Sequence, residues 1–154
     1  MNIPQPLWQE IEQIIVSYPQ PQGAVLPALH KIQERMGYLA EEALAQIAGH
    51  LRIPQVDLFE IATFYTLLYT RPHGDNIILV CNNISCYILD SETILSTLED
   101  ELKIKAGNTT ADNKFTLQAV SCLGACDGGP VMLINDQLYP HLTGDKIRRI
   151  LKEY

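Results

Sequence analysis

Arg71-Pro72-His73-Gly74-Asp75-Asn76-Ile77-Ile78-Leu79-Val80-Cys81 is the stretch at which this chain changes character. Its first five residues are turn formers, and they end the periodicity that precedes them. The run Ile77-Ile78-Leu79-Val80 has no helical gaps, is rich in branched side chains, and predicts a short strand. That strand stops directly at a cysteine. The break divides the chain, and two domains are expected, residues 1–72 and 73–154.

Upstream of the break the apolar residues recur at helical spacing. Leu7, Ile11, Ile14 and Ile15 share a face, and Pro19 and Pro21 end that helix. Val25, Leu29, Ile32 and Met36 repeat the pattern until Gly37. A third, Ala-rich helix is expected from about residue 41 to 49, with Leu44, Ile47 and Ala48 inward. Pro54 opens a fourth, in which Val56, Phe59, Ile61, Phe64 and Leu67 are apolar. Short helices are marginal alone and need each other's apolar faces, so a small bundle is expected. The aromatic group Phe59, Phe64, Tyr65 and Tyr69 is read as core where the bundle meets the second domain, with a part free to face a partner subunit.

Downstream the order reads β-α-β-β-α. A helix begins near Asp90 or Ser91, both good N-caps, and buries Ile94, Leu98 and Leu102. Phe115, Leu117 and Ala119 alternate with polar residues in a second strand that leads to Cys122. Two short apolar runs around Asn135-Asp136-Gln137 read as a hairpin. A last helix opens at Thr143 and buries Ile147, Ile150, Leu151 and Tyr154. The fold class is α+β, a helical bundle followed by a mixed domain.

With 11 basic and 18 acidic residues, the formal net charge is −7. Such a chain repels nucleic-acid phosphates and anionic membranes, so neither is an expected partner. Neither a basic patch with an apolar signal core nor a run long enough to span a membrane is present, and a cytoplasmic protein is expected. In that reducing compartment four cysteines are more readily metal ligands or reactive thiols than disulfides.

All four cysteines follow the break, as Cys81-x4-Cys86 and Cys122-x3-Cys126, each pair just after an expected strand. If the strands are neighbours, both pairs meet at one edge of the sheet. Four thiolates on two loops suit a [2Fe–2S] cluster, whose two irons are approached from opposite ends. The oxidised site then carries a charge of about −2, which backbone N–H groups must stabilise. The glycine-rich segment Cys122-Leu123-Gly124-Ala125-Cys126-Asp127-Gly128-Gly129-Pro130 is suited to bring amides close. A structural zinc ion also takes four cysteines and remains a competing reading. A thioredoxin-type exchange site would need Cys-x-x-Cys, which is absent. His30, His50, His73 and His141 are scattered, the glycine-rich segment lacks the Lys-Ser/Thr of a phosphate loop, and no nucleophile–base set is visible. No catalytic residue is assigned, and no activity is expected of the isolated chain.

The same residues carry a family resemblance. Ala62-Thr63-Phe64-Tyr65, the two cysteine pairs, Cys122-Leu123-Gly124-Ala125-Cys126-Asp127 with Gly129-Pro130, the segment Val131-Met132-Leu133-Ile134-Asn135-Asp136 and the later Leu142-Thr143 resemble the thioredoxin-like [2Fe–2S] ferredoxins. Within them the best fit is to the E-type subunits of bacterial NADH:quinone oxidoreductase (complex I), over nearly the whole chain. The resemblance implies a thioredoxin-like α/β second domain whose single [2Fe–2S] cluster is ligated by Cys81, Cys86, Cys122 and Cys126. It implies electron transfer within an NADH dehydrogenase module, beside a flavoprotein subunit that itself binds FMN and NADH, with the cluster acting as a one-electron store. Other peripheral-arm subunits would be further partners, and the complex would hold the chain on the cytoplasmic side of the inner membrane. Similar subunits occur in NAD-reducing hydrogenases and NAD-dependent formate dehydrogenases, which stand as alternatives. A zinc-stapled scaffold is the alternative of a different class. Gly128 departs from the family pattern, where many relatives carry a larger residue.

Overall fold

Residues 2–154 are described by the computed structural model, in which contacts fall into two units, one ending at Pro72 and the other spanning His73–Tyr154. The N-terminal unit contains α1 (Gln5–Val16), a 3-10 turn (Pro21–Ala24), α2 (Val25–Met36), α3 (Glu41–Leu51) and α4 (Gln55–Phe64). The helical spacing of the sequence accounts for what they bury. Leu7 and Ile11 of α1, Leu29 and Ile32 of α2, Leu44 and Ile47 of α3 and Leu58 of α4 share one core. Their stops are local. Gly37 ends α2 with φ of 83°, its N–H donating to Gln33 O at 2.8 Å, a turn that a side chain would resist.

α4 departs from expectation. It is apolar on nearly every side; Leu58 and Ala62 are buried and Ile61 packs partly against the same core. Phe59, Phe64 and Tyr65 are exposed, Phe64 by 77%, so these aromatics are surface rather than core. The segment after α4 is tied back to α2 by one side chain. Gln33 donates to Leu67 O at 2.8 Å and accepts the Tyr69 N–H at 2.7 Å.

The second unit is a five-stranded sheet in the order β2-β3-β1-β4-β5, formed by β1 (Asn76–Cys81), β2 (Asn108–Thr109), β3 (Phe115–Val120), β4 (Met132–Ile134) and β5 (Gln137–Tyr139). β1 lies at the centre, parallel to β3 and antiparallel to β4. Three helices accompany it: α5 (Ile84–Ile88), α6 (Ser91–Leu102) and α7 (Gly144–Ile150). Ile94 and Leu98 of α6 and Ile147 and Ile150 of α7 bury against Ile78, Val80, Leu117, Met132 and Ile134. Of the expected inward residues, Ala119 is exposed and Leu102 partly buried. The hairpin turns on Asn135 and Asp136, and Gln137 already belongs to β5. Asp90 stands before α6 with a left-handed backbone, φ 68°, and its carboxylate accepts the Thr93 hydroxyl at 2.8 Å instead of a backbone N–H. Thr143 does cap its helix, accepting the Lys146 N–H at 3.3 Å. The one-turn α5 and the two-residue β2 carry no sequence signal strong enough to have been expected. Among the described residues no helix is long and apolar enough to cross a membrane.

Candidate metal centre

The parallel register of β1 and β3 decides where the cysteines arrive. Cys81, the last residue of β1, lies opposite Val120, the last of β3. Both strands therefore end level, and the loop after β1 carries Cys86 while the loop after β3 carries both Cys122 and Cys126. The two loops are stitched together by the backbone: the Asn82 N–H donates to Val120 O at 2.8 Å and the Cys81 N–H to Val131 O at 3.2 Å.

In the first loop Asn83 accepts the Ile84 N–H at 2.7 Å and starts α5. That single turn swings Cys86 inward, so Cys81 and Cys86 are both only 1% exposed and pack with Val131. In the second loop Gly124, with φ of 80°, permits a reversal that places its own N–H 3.3 Å from the Cys122 sulfur. The chain then enters a 3-10 turn at Cys126, and the Cys122 and Cys126 sulfurs lie 3.6 Å apart, both residues exposed. The Gly129–Pro130 bond that follows is cis.

The electrostatics separate Cys81, Cys86 and Cys126. Burial would raise Cys81, but the N–H groups of Asn83 and Leu123, helped by a hydrogen bond from Cys86, hold it below the ordinary thiol range. Cys86 is pushed up by burial and by its bond to Cys81, against an N–H from Val131. Cys126 is raised by its hydrogen bond with Cys122 and by that neighbour's charge, while the Ser85 hydroxyl acts in the opposite direction. The pairs also sense each other, since charge on Cys126 raises Cys86 and charge on Cys81 raises Cys126. This is the behaviour of thiols drawn to one end of the sheet. Among the described residues no three His, Cys, Asp or Glu side chains gather as ligands of one metal ion; the sulfurs stand as two pairs.

Four backbone amides, those of Asn83, Leu123, Gly124 and Val131, point at sulfur. Such donors favour the thiolate and orient it, which is the environment an anionic metal–sulfur group requires. The donor set is thus chemically suited to a [2Fe–2S] cluster. Of the glycines in the glycine-rich segment, Gly124 alone donates in this way. Gly128 and Gly129 bond instead to the carbonyls of Ala125 and Cys126, at 3.1 and 3.4 Å. Their value is steric, because a Cβ on Gly129 would fall 3.6 Å from the Cys86 sulfur and 2.7 Å from Leu89 Cδ1. Asn83, Ser85 and Val131 were not legible as site residues: an amide's aim depends on the loop's path, which residue identity does not disclose. His50 packs edge-on against Trp8 at 5.1 Å within the first unit.

Comparison with known proteins bears on this geometry. A family model described as thioredoxin-like [2Fe-2S] ferredoxin matches residues 11–154. The chain is 32% identical over 152 residues to the HndA component of the NADP-reducing hydrogenase of Solidesulfovibrio fructosivorans, covering 99% of this chain and 89% of that one. It is 38% identical over 146 residues to an E-type subunit of the NADH-quinone oxidoreductase of Rhizobium meliloti, covering 95% and 87%. It is 37% identical over 146 residues to the E-type subunit of the same oxidoreductase from Escherichia coli strain K12, covering 95% and 88%. Among solved structures, an NAD+-reducing [NiFe]-hydrogenase in the air-oxidized state superposes with a TM-score of 0.71 at 22% identity. That match covers 84% of this chain but 22% of the hydrogenase chain, and it speaks for the fold alone.

Proposed function

The chain belongs to the thioredoxin-like [2Fe–2S] ferredoxin family, and on that footing we propose that it is the electron-carrying subunit of an NADH-oxidising complex, with one [2Fe–2S] cluster on Cys81, Cys86, Cys122 and Cys126. The observation that carries the reading is the arrival of two thiol pairs, on two loops, at one end of the sheet with amides aimed at sulfur. When bound, such a cluster supplies a site that accepts and returns single electrons, whereas hydride delivers two at once to a flavin. The chain's own residues do the holding. Cys81 and Cys86 grip from the buried side, Cys122 and Cys126 from the exposed side, and the amides of Asn83, Leu123, Gly124 and Val131 offset the negative charge. The hydrogen-bond set and the burial of one pair tune the potential.

The partner we assign is a flavoprotein subunit that binds FMN and NADH, with the chain lying peripherally on the cytoplasmic side of the membrane through its complex. The E-type subunits from Rhizobium and Escherichia support complex I as that assembly. The similarity to HndA favours a hydrogenase as the second reading, and identification of the subunits that co-purify decides between them.

The direct experiment is to purify the chain anaerobically and measure its iron, sulfide, zinc and visible spectrum. About two irons and two sulfides per chain, with visible absorption that bleaches on dithionite reduction, are expected. A colourless protein with one zinc ion overturns the reading.

A further inference from the structure

The short helix α5 is turned inside out. It buries its cysteine, yet Ile84 and Ile88, four positions apart and so on one face, are 70% and 76% exposed. Tyr87 and Leu89 beside them are 53% and 48% exposed. Single exposed apolar residues are normal on a protein surface, but four within six consecutive positions form a patch. The patch is not remote from the thiols. Leu89 lies against Gly129, and the Ser85 hydroxyl acts on Cys126. A groove of about 400 Å³ runs beside Ile84, lined also by Asn82, Asn83, Ala119, Val120 and Ser121, the residue next to the exposed Cys122.

Charge narrows what covers this end. Positions 82–91 and 121–131 contain two carboxylates, Asp90 and Asp127, both exposed, and no Lys or Arg. A second copy of the chain would bring the same carboxylates to meet these, and an anionic membrane would be repelled. A protein face with an apolar centre and a basic rim would match both features.

Resting on the reading above, we propose that the exposed face of α5 and its adjoining groove form the docking surface for a protein redox partner whose contact face is apolar at its centre and rimmed by Lys or Arg. Electron exchange with a cluster held by these thiols would require closeness, and this patch adjoins the exposed pair. Redox complexes bury small interfaces and are often weak, so four apolar side chains on and just after α5 form a sufficient centre.

The test uses the cluster-loaded full chain, with the FMN-binding flavoprotein of the same organism immobilised as the probe. The double substitution Ile84→Glu with Ile88→Glu is expected to weaken association by at least about tenfold while leaving the visible spectrum as in the parent. The milder Ile84→Ala with Ile88→Ala weakens it less and guards against misfolding as the cause. Asp90→Asn, which suits a left-handed backbone, is expected to flatten the salt dependence of binding. Unchanged affinity in both double variants overturns the proposal. So does wild-type self-association, or capture on anionic lipid vesicles, that the double variants abolish. A parent chain without iron or colour overturns the electron-carrier reading instead, and its spectrum is read before any binding is measured.

Discussion

Gly128 lies flat against Pro140: a Cβ added to it would fall 2.7 Å from the Pro140 Cβ. The proline ring cannot rotate away, so relief must come from the backbone of the second thiol loop. A larger residue at this position therefore needs a different neighbour across the turn. Gly128→Ala is expected to destabilise the fold by about 1–3 kcal/mol, read as the midpoint of urea unfolding. Gly129→Ala meets the flexible end of Leu89 at the same 2.7 Å and is expected to cost less. The reverse order would contradict this packing account.

Loss of a thiol should act differently on the two sides of the site. Cys126 is exposed, so Cys126→Ala is expected to abolish the visible spectrum and to melt where the iron-depleted parent melts. Cys86 is buried with Val131, so Cys86→Ala is expected to melt lower than the iron-depleted parent, because it also opens a gap. Thermal melts of both variants beside the chelated parent check the difference; coincident melts for all three would remove the distinction.

Tyr139 and Tyr154 share a hydrogen bond of 3.0 Å between hydroxyls. That bond, then burial, pushes Tyr139 up to about 12 from its ordinary 10.0. A folded value above the unfolded one means that the pair's contribution to stability is whole below the ordinary tyrosine value and is lost as pH rises from there through about 12. Tyr154→Phe keeps the edge-on contact with Phe115, whose ring centroid is 6.3 Å away, but deletes the bond. Tyrosinate absorbance is expected to appear at lower pH for Tyr139 in this variant, and the alkaline loss of stability to become shallower. An identical alkaline titration in both proteins would refute the coupling.

Thr143 caps α7 through its side chain. Removing that acceptor in Thr143→Ala is expected to cost about 1 kcal/mol, while Thr143→Ser retains most of it. Urea midpoints of the two variants separate the hydroxyl's contribution from that of the lost methyl.

The sequence disclosed the helices of the first unit because each buries one face at a regular interval, as Leu7 and Ile11 do in α1. α4 misled for the opposite reason. Its apolar residues encircle the helix, and periodicity cannot say that Leu58 goes in while Phe59 and Phe64 stay out. α5 was invisible because its large apolar residues face solvent, contrary to the pattern by which helices are found. The cysteine pairs were legible from residue type and position alone. Their amide donors were not, since the Val131 N–H reaches the Cys86 sulfur only after β4 has paired with β1.

Cys81 and Val120 end their strands side by side, yet α5, α6 and β2 intervene between them along the chain. A half-made molecule thus offers two separate dithiols, and both reach one end of the sheet only after the parallel pair has zipped into register. A slip of one residue would turn Cys81 to the opposite face of the sheet. On the reading proposed above, a chain whose central strands had not found each other would lack the four-thiol set that a cluster needs.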